Sequence, residues 1–72
     1  MKTAKIINRL HRIQGQLKAI EKMLESDKSH KDILIQLHAI SSSLKSMKAE
    51  YVKELIKEAP LNEVNDYIDL IN

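Results

Sequence analysis

The side chains that could do chemistry in this 72-residue chain are three histidines, ten carboxylates and twelve lysines or arginines; there is no cysteine. Without a thiol there is no sulfur nucleophile, no thiolate metal cage and no disulfide. A Gly-rich phosphate loop, a Gly-x-Ser-x-Gly turn and the Glu-x-x-His pairs of a di-iron bundle are also missing from the sequence. No histidine stands at a spacing from a carboxylate that demands acid–base work, so the residues predict a protein that is not an enzyme. A first-row metal needs three or four ligands. His30 and His38 fall about 80° apart round a helix and two turns along it, and His11 lies on another segment. His30 is a candidate for a divalent metal only with ligands from elsewhere; alone it reads as a polar residue near a helix start. No other cofactor is expected.

The cations are better organised. At about 100° per residue, Lys5, Arg9, Arg12 and Gln16 share one helix face, about 90° round from the apolar seam described below. Such a face stays exposed while the seam is buried, and arginine forks onto phosphate oxygens or guanine edges. The plainer reading is a solvated face without a partner. Lys18 and Lys22 point to a different side. The charge is also sorted along the chain. Residues 1–24 carry six cations against Glu21 alone, whereas residues 50–72 carry two against six acids. That asymmetry predicts a basic working surface and an acidic tail region.

The elements that must hold these residues are helical. Hydrophobic residues at 43% and charged ones at 31% are globular values. One Gly, one Pro and few β-branched residues beyond Ile argue against sheet. Ile6, Leu10, Ile13, Leu17, Ile20 and Leu24 step 4, 3, 4, 3, 4, a heptad seam that predicts a helix from about residue 3 to 26. Gly15 interrupts it and would allow a close backbone approach. Ser29 with Asp32 resembles a capping box. A second helix is expected over about 30–58, with Ile33, Leu37, Ile40, Leu44, Met47 and Tyr51 as its seam and Ser41-Ser42-Ser43 inside it. Met23 and Met47 read as core fillers. Pro60 stops this helix. Asn62 can cap a short third one, whose face is Val64, Tyr67, Ile68 and Ile71.

Two such helices joined by about four residues make an antiparallel hairpin. A chain of this length rarely draws more than about 3–5 kcal/mol from its own core, and a lone hairpin leaves half its seam wet. The expectation is one all-α domain over residues 1–72, pairing with a second copy as a four-helix bundle. With no apolar run near 18 residues and no signal peptide, a soluble cytoplasmic protein without membrane contact is expected.

The stretch Arg9-Leu10-His11-Arg12-Ile13-Gln14-Gly15-Gln16, continued through Leu17 to Glu25, closely resembles the first helix of the CsoR/RcnR/FrmR family. These are bacterial transcriptional repressors that sense copper, nickel or cobalt, sulfane sulfur or formaldehyde. The likeness continues at Asp32-Ile33-Leu34-Ile35-Gln36-Leu37, Ala39 and Leu44, covering about residues 4–59. It implies dimers built as antiparallel four-helix bundles, two of which form a disc-shaped tetramer. It also implies operator DNA held by a basic surface of the first two helices and released by an effector. Arg9, Arg12 and Gln16 match the DNA-face positions, and Lys5 extends them.

The sensing positions depart from the family. His30 stands where the family has a Cys, and Leu55 and Ala59 stand where copper sensors have a His and a Cys. A trigonal Cu(I) site of two thiolates and an imidazole therefore cannot form, and persulfide or formaldehyde chemistry loses its thiol. Ser41 replaces a family Arg on the DNA side, where Lys45 and Lys48 could supply charge instead. The favoured expectation is a DNA-binding repressor with an unknown small effector. The alternatives are a helical interaction module that has lost sensing and a His-based zinc, nickel or cobalt sensor.

Overall fold

The computed structural model describes residues 2–71. Its described residues form helices α1 (Ala4–Glu25) and α2 (His30–Glu58), a 3-10 turn (Leu61–Glu63) and a short α3 (Val64–Ile68), with no strand among them. α1 and α2 pack as a hairpin, and α3 folds back on α2. The molecule is a slab of 50 × 23 × 11 Å, one helix thick.

Local chemistry sets the boundaries. At the end of α1 the Ser26 amide and hydroxyl both donate to the Lys22 carbonyl, and the Lys28 amide reaches back to the Met23 carbonyl at 3.1 Å. Asp27 makes that wrap by entering the left-handed region at φ 59°, which a short polar side chain tolerates better than most. Ser29 then caps α2, its hydroxyl accepting from the Asp32 amide at 3.2 Å, which is one half of the expected box. The three-serine run lies inside an unbroken α2. α2 ends at Glu58, because Ala59, the residue before Pro60, is held extended at ψ 146°.

The third helix differs from its expectation. Asn62 caps nothing: it lies inside the 3-10 turn, and α3 begins after Glu63 with no side-chain cap bond. Pro60 starts a tight turn in which its carbonyl takes the Glu63 amide, so the chain enters helical geometry before a cap position exists. α3 ends at Ile68, leaving Ile71 beyond the helix. Tyr67 Oη donates to Glu63 at 3.3 Å, and the negative charge of Glu63 raises the tyrosine pKa.

The hairpin divides its heptad seam in two. Ile6, Ile13 and Ile20 are 4–8% exposed; Ile13 and Ile20 pack with Ile40, and Met47 lies against them. Leu10, Leu17 and Leu24, the alternate members of the same seam, remain 39–63% exposed. On α2 the same split leaves Leu37, Leu44 and Tyr51 open. Ile6, Leu10, Leu44, Met47, Lys48 and Tyr51 line one apolar groove of about 450 Å³ along that open edge. Gly15 meets nothing: a Cβ placed there would have no atom within 4 Å, so within this chain no close approach uses it.

Candidate nucleic-acid interface

Lys5, Arg9 and Arg12 of α1 lie on the flank of the hairpin opposite that groove. Lys5 Nζ stands 3.0 Å from Glu50 Oε1, and Arg9 Nη2 stands 3.2 Å from Glu50 Oε2. One carboxylate on α2 thus bridges two cations on α1. Lys5 is largely exposed and Arg9 half-buried. The hydrogen bond from Lys5, with the charge of Arg9 behind it, holds the Glu50 carboxyl below the usual carboxylate range against the opposing effect of partial burial.

One turn further, Arg12 is exposed, and no acidic partner meets it among the described residues. Arg9, Arg12, Ile13, Ser42, Ser43 and Ser46 line an open cleft of about 220 Å³. Two guanidiniums there face three hydroxyls across the helix–helix seam, a donor-rich lining suited to an anion. Gln16 is half-buried, and its Oε1 is enclosed without a hydrogen-bond partner. The stripe is therefore a border between the helices, more enclosed at Arg9 and Gln16 than a free helix face.

Beyond Glu50 the same flank carries more charge. Arg9, Ser46, Glu50, Lys53, Glu54 and Lys57 line a shallow cleft of about 410 Å³, and Lys2 and Lys5 flank Glu50 and Glu54 at the neighbouring surface. Lys57 donates to Glu54 Oε1 at 3.2 Å, which lowers the Glu54 pKa. The sequence reading missed Lys2, Lys53, Lys57 and Glu50. Lys53 and Lys57 were hidden by the acidic balance of the last third, although each follows an acid by three residues.

Lys45 and Lys48 are not brought to this flank. Lys48 borders the apolar groove, and Lys45 is exposed on α2 and lines neither cleft of the basic flank. The three histidines are exposed. His30 opens α2, and the described residues hold no group of three His, Cys, Asp or Glu side chains able to bind a metal.

The sequence pattern of the metal-sensitive transcriptional repressors matches residues 2–71. The chain belongs to this family. It is a family of repressors and not of enzymes. Two curated relatives are the copper-sensing transcriptional repressor CsoR of Bacillus subtilis, 43% identical over 42 residues, and the copper-sensing transcriptional repressor RicR of Mycobacterium tuberculosis, 39% identical over 46. The matches cover 58% and 64% of this chain but 42% and 48% of the relatives, so the match spans less than half of their length. No solved structure matches the chain.

A metal site would be expected from the family's description, and the donors here do not fit a thiolate one. The sequence contains no Cys, and Leu55 and Ala59 are half-buried apolar side chains of α2 and its cap. No helix among the described residues is long and apolar enough to cross a membrane.

Proposed function

We propose that this chain is a DNA-binding repressor that docks the Lys5/Arg9/Arg12/Gln16 flank on operator DNA. The observation that carries the reading is the cleft where Arg9 and Arg12 face Ser42, Ser43 and Ser46. Lys5 to Arg12 spans about 10 Å along α1, roughly the axial rise of three base pairs. Guanidiniums and hydroxyls on such a ridge suit contacts to phosphate oxygens, which fix position on the duplex, while an exposed Arg12 can also reach base edges. Lys45 and Lys48 would join only through a neighbouring copy.

The apolar groove supports the second half of the reading. Leu10, Leu17 and Leu24 with Leu37, Leu44 and Tyr51 form an unfinished heptad seam, and a second copy of the same hairpin completes it as an antiparallel four-helix bundle. A dimer, or a disc-shaped tetramer of two dimers, repeats the basic flank and multiplies its contacts. The protein then works in the cytoplasm. Its effector is of a chemistry other than the thiolate-bound Cu(I) of a Cys/His/Cys site. His30 is an exposed imidazole that belongs to no group of three metal-binding side chains among the described residues, and no observation favours it as a ligand.

The test is fluorescence anisotropy of a labelled duplex from upstream of the protein's own gene, against an unrelated duplex of equal length, at two salt concentrations. Binding that prefers the upstream duplex and falls steeply with salt is expected. Arg9→Ala with Arg12→Ala should weaken it at least about thirtyfold at low salt, with the helical assembly intact. Tight binding by the double variant, or equal weak binding to both duplexes, would reject the reading in favour of a helical interaction module.

A further inference from the structure

The cations of the docking flank are not all free. Glu50 offers one oxygen to Lys5 and the other to Arg9, much as a phosphate offers two oxygens to a pair of cations. Its side chain keeps 24% of its surface exposed, so the pairs sit at the rim where a polyanion would arrive. Arg12 has no such acid beside it among the described residues. Lys53 and Lys57 lie close by, and Glu54 already engages Lys57.

Resting on the reading above, we propose that Glu50 is an internal competitor of DNA phosphate, which occupies Lys5 and Arg9 in the free protein and must release them for full docking. Each docking event then exchanges two internal ion pairs for contacts to phosphate. Fewer counterions leave the duplex than the cation count suggests, and affinity is held down. Arg12 makes the first contact; Lys5 and Arg9 follow. Glu50 could instead act only as a staple between α1 and α2. That role predicts the opposite sign, because loosening the hairpin would scatter the cations.

The experiment compares wild type, Glu50→Gln and Glu21→Gln by salt-dependent anisotropy on the upstream duplex, with helical content and sedimentation recorded for each. Glu21 lies about 160° round α1 from Lys5, so its variant makes the same change in net charge away from the flank. Glu50→Gln is expected to bind about threefold to tenfold tighter at low salt, the scale of two exposed ion pairs. Its salt slope should steepen by about 0.9 for each cation freed per docked copy. Glu21→Gln should change affinity by less than about twofold, by screening.

Binding by Glu50→Gln that is no tighter than by Glu21→Gln, with the fold intact, overturns the proposal while leaving the docking reading in place. Should Glu50→Gln lose helical content, Glu50→Asp keeps the charge but shortens the reach, and it must also bind more tightly than wild type; no gain there overturns the proposal. No binding by any of these proteins overturns both readings. Binding by Glu50→Gln alone would support the competitor role in its strongest form.

Discussion

The two flanks of the α1–α2 seam make opposite provisions for a partner. On one, Leu10, Leu17, Leu24, Leu37, Leu44 and Tyr51 stay open to solvent. On the other, Lys5 and Arg9 have already found Glu50. Among the described residues nothing covers the apolar flank: α3 is only five residues long and the slab is one helix thick. The charged flank does so in part, because carboxylate and ammonium side chains are long enough to meet across a helix–helix border. An unfinished apolar face favours association strongly and without much choice of salt. A partly neutralised charged face gives weaker, salt-sensitive binding that one side chain can tune.

The largest effect should come from breaking the apolar flank. Leu44→Glu places a charge in the middle of the groove lined by Ile6, Leu10, Met47 and Tyr51. Losing the burial of one leucine costs about 2–3 kcal/mol, and a buried carboxylate costs more. Self-association measured by sedimentation should weaken at least about a hundredfold, with DNA binding falling because the basic flanks are no longer repeated. An unchanged assembly would mean that the open seam is not where copies meet. The Arg9→Ala, Arg12→Ala variant is the complementary case, with DNA binding lost and assembly kept.

A smaller effect should come from acid, and it belongs to the charged flank. Glu50 and Glu54 both have pKa values lowered in the fold. Carboxylates of this kind contribute stability that is present above the ordinary unfolded value near 4.5 and is lost as pH falls through the lowered folded values. Urea midpoints followed by helical circular dichroism should therefore drop between neutral pH and about pH 3. Glu50→Gln with Glu54→Gln should flatten that drop, and added salt should shrink it. An identical pH profile in the double variant would remove the ion pairs from the stability of the hairpin.

The two flanks were not equally legible in the sequence. Helix existence was, because sustained 4, 3 spacing and Pro60 leave few alternatives, and Ser29 is where the cap is found. Which half of the seam a single chain would bury was not. Ile6, Ile13 and Ile20 alternate with three leucines of similar apolarity, and a heptad does not say which members face the nearer helix. Glu50 was invisible for a different reason. It is 45 residues from Lys5, and only the register fixed by the Ser26–Ser29 turn brings them together. Asn62 misled because a local cap preference was outweighed by the turn that Pro60 begins.

The smallest predicted effect tests whether two flanks are all that the hairpin offers. Gly15 lies on α1 about 160° round from the buried Ile13 and about 60° from Arg12, at the outer edge of the basic flank, and a Cβ there would touch nothing. Glycine in a helix interior costs about 0.8–1 kcal/mol against alanine. If the back of α1 faces only water, Gly15→Ala should raise stability by about that amount and the thermal midpoint by roughly 4–8 °C, with assembly and DNA affinity unchanged. If a neighbouring copy packs its backbone there, the added methyl group must push it away. The variant would then be no more stable, and its sedimentation would shift towards a smaller species. That outcome would give the hairpin a third surface, on which the dimers of the proposed tetramer meet through the one glycine in the chain.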